Sequence, residues 1–567
     1  MSATDTKKHI AEAIEAFASG DLSANALHLL KTLGYHSDLR APLKKRTFAE
    51  FDDLYVRGTE RFNTKNALTE QWDSIDLLFQ LTSDQLSKQD LLFKNEKVDR
   101  AIIESYLFFV IELKAKVNGY TRTELSHITR EVNKLFAMPV MLLFKHGDSG
   151  SGAGMTITLA VIDRRLHKRE ASKDVLEKVT LIKDIRTAAP HRAHIEILFD
   201  LILDELRRKE GFTNFPGLHA AWRKTLDTKE LNKRFFRELA NWYFHAVEVA
   251  EFPDDIEKDR EKRNATSIIR LITRLMFVWF LKEKDLVPEE LFDPKALKKI
   301  LKPDAKGESN YYKAILQNLF FATLNTEMGK RRFLASPDKS QSPHHFIHNV
   351  FRYEHCFIDP KAALKNIFDP IPFLNGGLFE CLDKQVEVKG KLEPVRIDGF
   401  SNNPKNKLKV PDKLFFDEVG EEWDFSAVYG TTRARKEKVR GLIDILSSYK
   451  FTIVENTPIE EEVALDPELL GKVFENLLAN YNPETKTTAR KQTGSFYTPR
   501  EIVNYMVDES LIAYLQNSIE RNEESEKRLR HLLSYTEEPH TFTKKETEAL
   551  IAAIDNCKIL DPACGSG

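Results

Sequence analysis

Two short apolar runs and the segment that follows them most constrain how this chain can fold. SIDLLFQL at residues 74–81 and SYLFFVIELK at 105–114 are rich in β-branched and aromatic residues, the composition of buried strands. TRTELSHITREVNKLF at 121–136 then switches to apolar residues at helical spacing. Pro139 closes it, and VMLLFKHG (140–147) and MTITLAVID (155–163) read as two further strands joined by the glycine-rich GDSGSGAG. Strand, helix and strand in that order predict an α/β domain, expected over residues 1–185.

Composition agrees with packed domains. Of the 567 residues, 42% are hydrophobic and 30% charged, which argues against global disorder. The 85 basic and 87 acidic residues leave a formal charge of -2. That balance excludes a basic-tail binder but not a local basic stripe, which is what nucleic acid requires. The four cysteines, at 356, 381, 557 and 564, form no CxxC pair and no disulfide framework. With no signal-like N-terminus and no run of eighteen apolar residues, a cytoplasmic protein without a membrane partner is expected.

Outside the α/β segment the periodicity is mostly helical. The first 60 residues read as helix, with Ser23 the expected N-cap of SANALHLLKTLGY. LILDELRR, LNKRFFRELANWYFHAV and SIIRLITRLMFVWFLKEK predict a helical connector over 186–380, and PKAALKNIFDPIPFLNGG marks a loop near its end. Residues 381–489 combine a hairpin in VEVKGKLEPVRI with helices in VRGLIDILSSYK and ELLGKVFENLLANY. The last division, 490–567, contains two charged helices, in SIERNEESEKRLRHLLSY and FTKKETEALIAAI.

Two motifs in that last division carry chemistry. In KILDPACGSG, Lys558, Ile559 and Leu560 read as the end of a strand. Asp561, Pro562, Ala563, Cys564, Gly565, Ser566 and Gly567 then make a small-residue turn that lets backbone approach a nucleoside cofactor. Neither GxGxxG nor the phosphate-gripping GxxxxGK[ST] is present, so a nucleotide-driven motor is not supported. Upstream, KQTGSFYTPREIVNYMV places Pro499 in the first turn of a helix capped by Thr498, with Ile502, Val503 and Met506 along one face.

TGSFYTP followed by DPACGSG resembles the paired cofactor motifs of the gamma-class adenine-N6 DNA methyltransferases. The resemblance implies a Rossmann-like domain that binds S-adenosyl-L-methionine (SAM) through Phe496, Tyr497, Thr498 and Pro499 on one side and Asp561, Pro562, Ala563, Cys564, Gly565 and Gly567 on the other. Its catalytic Asn-Pro-Pro-aromatic loop, which would grip a flipped adenine, does not occur in residues 1–567. The chain is therefore expected to be the front part of a larger enzyme and inactive by itself in methyl transfer. The helical pair between the two motifs departs from compact methyltransferases. LITRLMFVWFLKEKDLVP, PFLNGGLFE, FTIVENTP and DPELLGKVFENLL are similar to segments of fused, single-chain (type IIG) restriction-modification enzymes and their relatives in phage defence. The implied partners are double-stranded DNA and, in a defence system, other proteins or a second copy.

Such fused enzymes commonly begin with a PD-(D/E)xK nuclease, and the α/β segment contains a matching tripeptide. Glu112 and Lys114 flank Leu113 at the end of an apolar strand, and period-two geometry puts both on one face. Carboxylates would hold Mg2+, a hard cation that selects oxygen ligands, with the lysine near the attacking water. Asp76 and Glu112 are the expected metal ligands, and Asp76, Glu112 and Lys114 the expected catalytic set. Asp99 competes with Asp76 for the first acidic position, and Glu104 could join either arrangement. The alternative is a methyltransferase-only protein whose front half is a scaffold or DNA-binding module. IDRRLHKRE at 162–170 is either a phosphate contact or a solvated loop. His127, His146, His167, His191 and His194 show no metal-ligand spacing.

Overall fold

The computed structural model describes residues 3–59, 61–86, 105–150, 154–166, 174–303, 309–334, 349–374, 377–388, 391–403, 405–429, 436–454, 456–457, 459–465, 500–534 and 540–560. Two compact units emerge: residues 1–238 with 444–467, and residues 239–443 with 468–567. Asp99, Glu104, His167, the two cofactor motifs at 496–499 and 561–567, and the DPELLGKVFENLL segment, expected to be helical, lie outside the described residues.

The first unit is a mixed α/β structure built on one six-stranded sheet. Its helices are α1 (Ala3–Glu15), α2 (Leu22–Thr32), α3 (Arg122–Lys134), α4 (Arg192–Asp200), α5 (Leu203–Glu210) and α6 (Phe215–Leu226). A further helix, α7 (Thr228–Val249), follows. The strands are β1 (Trp72–Thr82), β2 (Ser105–Leu113), β3 (Val140–Gly147), β4 (Met155–Leu166), β5 (Asp174–Arg186) and β6 (Glu460–Glu462), adjacent in that order. β1 and β2 run antiparallel, β2 and β3 parallel, β3 to β5 antiparallel, and β6 parallel to β5. The parallel step from β2 to β3 is the crossover that α3 makes possible.

α3 forms where the sequence predicts it. Thr121 and Glu124 cap it reciprocally, satisfying two backbone N–H groups at its start. Leu125, Ile128 and Val132 then fall on one face and pack against Leu107, Phe109 and Ile111 of β2 and Leu142 and Phe144 of β3, all fully buried. Alternation sends Tyr106, Phe108, Val110 and Glu112 to the opposite face. There Phe79 stacks on Phe108 with centroids 4.5 Å apart, and Tyr106 stacks on Trp222 of α6 at 5.1 Å. Trp222 donates its indole N–H to Tyr35 at 2.7 Å, satisfying a polar atom that burial would otherwise strand.

Three local expectations need correction. The N-cap of α2 is Asp21, whose carboxylate accepts from Ala24 N–H at 2.8 Å, not Ser23. PKAALKNIFD is helical, not loop, in its first part: Pro360–Ala363 forms a turn of α-helix continued by Leu364–Phe368. Lys558–Leu560 forms no strand, and Ile559 and Leu560 stand 92% and 84% exposed. A strand of a parallel sheet needs neighbours on either side to satisfy its backbone, and none of the described residues provides them.

The second unit is largely helical, and its apolar core encloses a buried polar network. The 24-residue α8 (Arg260–Glu283) is long and apolar enough to cross a membrane by length and composition, yet most of its apolar window is buried within the protein. It also carries Arg274, which pairs with Asp398 at 3.0 Å and donates to the carbonyls of Leu378 and Glu380, each at 2.9 Å. Asp383 accepts backbone N–H groups from Ile397, Asp398, Gly399 and Phe400, with the Arg396 guanidinium 3.9 Å away, so a buried carboxylate is satisfied chiefly by backbone amides. The expected hairpin is present as Lys384–Val388 paired with Lys391–Val395. Near the C-terminus α9 (Arg500–Leu515), α10 (Glu523–Leu533) and α11 (Lys544–Asp555) share a small core of Ile512, Leu515, Leu529 and Leu550. Ile502, Val503 and Met506 of α9 are 50%, 41% and 58% exposed.

Candidate active site

The site is built where β1 begins and β2 ends. Register sets Asp76 opposite Val110, and Ser74 opposite Glu112. Asp76 and Glu112 therefore share one face of the sheet as diagonal neighbours. Glu112 is also in register with Lys145 on β3, and the Lys145 ammonium lies 2.9 Å from Glu112 Oε1.

Asp76 is fully committed to the fold. Its Oδ1 accepts the Leu43 backbone N–H at 2.8 Å, and its Oδ2 accepts the Ser23 hydroxyl at 2.6 Å and lies 3.1 Å from Arg46 Nε. The residue is 3% exposed. Ser23, expected as a helix cap, is instead the link from α2 to this carboxylate. These three donors tie Asp76 to the fold, and a cation there would share the carboxylate with them.

A neighbour escaped the sequence reading. β1 is irregular between Trp72 and Ser74, where one extra residue, Asp73, is inserted opposite the Glu112–Leu113 step. Bulges of this kind re-aim a side chain and recur beside active sites. Asp73 is exposed and forms no hydrogen bond or ion pair with another described residue. The DSID segment held the signal, two acids three positions apart, but a bulge has no composition of its own.

Lys114 sits just past β2, its backbone N–H on the Gln71 carbonyl at 2.9 Å and its ammonium on the Glu70 carbonyl at 2.8 Å. Its own carbonyl accepts the Tyr120 hydroxyl at 2.8 Å. Burial pushes the Tyr120 phenol up to about 12, and the nearby charges of Glu124 and Asp73 add to that rise. Asp73, Lys114 and Tyr120 thus meet at the same end of the sheet as Glu112. Among the described residues no group of three or more His, Cys, Asp or Glu side chains forms a metal cage. Two carboxylates still suit Mg2+, which keeps several waters and takes its remaining ligands from substrate phosphates. Asp73, exposed, and Glu112, half-buried beside Lys145, are two carboxylates of that kind at this end of the sheet.

Two of the histidines, His146 and His194, are buried in the fold. His146 lies on the α3 side of the sheet, bonded to Thr158 at 3.0 Å and Thr156 at 3.2 Å, and burial pushes its imidazole down to about 4. His194 is fully buried, and burial likewise holds its pKa well below the usual histidine range.

No known family's sequence profile matches this chain, and no solved structure matches it. Among curated proteins, 323 residues of the chain are 26% identical to a Methanocaldococcus jannaschii protein whose description reads "Putative type II restriction enzyme and methyltransferase". The match covers 56% of this chain and 20% of that protein, so the chain spans about a fifth of the length of its relative. The likeness is thus a distant, partial one that links the chain in general terms to restriction-modification systems.

Proposed function

We propose that this chain belongs to a SAM-dependent DNA adenine-N6 methyltransferase fused to a Mg2+-dependent endonuclease of a restriction-modification system. The observation that carries the nuclease half is the meeting of the exposed Asp73 bulge with Glu112 and Lys114 at one end of the sheet. Asp73 and Glu112 would hold the cation, which when bound supplies activation of water and charge stabilisation at the leaving oxygen. Lys114 contributes a positive charge beside the phosphate that undergoes attack. Lys145 holds Glu112 in place through their ion pair, and Asp76 positions the start of β1 through Arg46, Ser23 and Leu43. The methyltransferase half rests on Phe496, Tyr497, Thr498 and Pro499 together with Asp561, Pro562, Ala563, Cys564, Gly565 and Gly567, with SAM supplying the methyl group.

Cleavage of unmethylated duplex DNA by the full reading frame tests the nuclease half. Asp73→Asn and Glu112→Gln are each expected to slow Mg2+-dependent cleavage by about 100-fold or more while leaving the fold intact. Wild-type rates in both variants would remove the nuclease from this site. A non-catalytic DNA-binding module would then be the remaining reading of the first unit.

A further inference from the structure

The helical side of the first unit carries a charge distribution that the sheet-end site does not use. A concavity of about 380 Å3 is lined by nine residues from Asp200 to Arg237 on and around α4 to α7. Five of the nine are cations, Lys209, Lys224, Lys233, Arg234 and Arg237, against the two carboxylates Asp200 and Glu230. This local excess of positive charge stands in a chain whose formal total is -2. Lys224 and Glu230 also line a second, larger concavity of about 800 Å3 that continues past Arg223 to Lys178 and Asp163 on the sheet. The two share only those walls, and the surplus of cations belongs to the smaller one, since Arg223 and Lys178 of the larger are paired with Asp163 and Glu461.

The cations are of two kinds. Arg234 is anchored, 2.6 Å from Asp200 and with its guanidinium 5.5 Å from the centre of the Tyr449 ring. Lys224 and Lys233 make surface pairs with Glu210 and Glu230, at 2.8 and 2.6 Å. Such exposed pairs stabilise the protein little and exchange readily for another anion. Lys209 and Arg237 are exposed and form no ion pair with a described residue. A groove with a surplus of cations, some fixed and some exchangeable, suits a linear polyanion better than a compact anion, which would be held by a few converging donors.

We propose that this groove carries the phosphodiester backbone of duplex DNA, as a sequence-independent track separate from the Glu112 end of the sheet. The inference rests on the reading that the protein acts on DNA, and it assigns the residues that hold the duplex. Phosphate contacts of this kind fix register and orientation without reading bases. The groove therefore sets affinity and its salt dependence.

The test is fluorescence anisotropy of the full chain with a 30-base-pair duplex of arbitrary sequence, titrated across salt concentrations. The double variant Lys209→Gln/Arg237→Gln is expected to weaken binding roughly tenfold at moderate salt and to lower the slope of log K against log salt by about 2, close to 0.9 per lost phosphate contact. Arg57→Gln/Lys65→Gln makes the same change in net charge at exposed positions outside the groove and should leave the slope unchanged. Equal slopes for wild type and the groove variant would overturn the proposal, as would an equal fall in the control variant. Competition by polyglutamate as strong as that by duplex DNA would also overturn it, by marking a surface for any polyanion. Failure of the whole chain to bind any duplex would instead count against the DNA reading itself. Both double variants should keep the wild-type circular dichroism spectrum.

Discussion

Arg46 places its Nε 3.1 Å from Oδ2 of Asp76, and the Asp76 side chain is only 4% exposed. The pair ties the segment before β1 to the strand itself, with Ser23 adding the tie from α2. Removing the carboxylate would leave the Ser23 hydroxyl and the Leu43 amide short of an acceptor, while Arg46, 40% exposed, would keep its ion pair with Asp21. Asp76→Ala is expected to destabilise the first unit by about 2 kcal/mol, the scale of leaving buried polar groups unsatisfied. Asp73→Asn, three residues earlier in β1 and exposed, should shift stability by less than about 0.5 kcal/mol. Urea unfolding followed by tryptophan fluorescence compares the two. Equal midpoints would contradict the structural role given to Asp76.

Glu112 and its partner Lys145 make a second prediction. The ammonium cancels part of the charge a divalent cation would feel. Lys145→Met should therefore raise affinity for Mn2+, used as a Mg2+ surrogate, by about fivefold, equivalent to about 1 kcal/mol for a partly exposed charge pair. Lys114→Ala should leave Mn2+ affinity near wild type and slow cleavage, because its charge acts on the reacting phosphate. Electron paramagnetic resonance of free Mn2+ reads the affinities. An unchanged affinity for both Lys145→Met and Glu112→Gln would show that Glu112 is not a ligand.

His146 predicts a pH dependence of stability. Burial holds the folded imidazole at about 4, below its ordinary value of 6.5, so on acidification the unfolded chain takes up the proton first. Its contribution is fully present above pH 6.5 and is lost as pH falls from there towards 4, up to about 3 kcal/mol in total. His146→Gln retains a polar group beside Thr156 and Thr158 and removes the titration. Thermal scans between pH 7 and 4.5 should show a shallower acid-side decline in the variant. His194, shifted the same way, will leave part of the decline in place.

The start of α11 offers a local test. Thr543 and Glu546 cap the helix reciprocally, and Arg528 adds an ion pair to Glu546 at 2.8 Å. The hydrogen bond to Arg528, with further bonds from Thr543, holds the Glu546 carboxyl down at about 2. Thr543→Ala is expected to weaken the helix start by about 1 kcal/mol. Amide exchange over residues 544–547 should accelerate about fivefold, and exchange within α9 should change less.

Much of the fold was legible, and the rest fails for identifiable physical reasons. β1 to β4 and α3 follow from alternation, helical spacing and a capping box. β5 was not assigned a strand, because DVLEKVTLIKDIR interrupts its apolar positions with charges. β6 reads Glu-Glu-Glu, a composition depleted in strands. It is held there by distant partners: Arg122 and Thr123 at Glu460, Lys178 at Glu461, and the β5 backbone. No local pattern reports such contacts. At the site, the sequence put Glu112 and Lys114 on one face and offered Asp76 and Asp99 for the first acid, but it could not show that Arg46, Ser23 and Leu43 hold Asp76. Nor could it show that a bulge presents Asp73.

The late return of β6 bears on how the first unit is made. Strand β5 ends at Arg186 and its neighbour begins at Glu460, so 274 residues (460 minus 186) must be synthesised before that side of the sheet is covered. At roughly 5–20 residues per second, the nascent chain carries an open strand edge for about 14–55 s. An open edge is a template for pairing with another strand. The ribosome therefore imposes an interval in which this protein is vulnerable to mispairing, and expression of residues 1–238 alone would make that interval permanent.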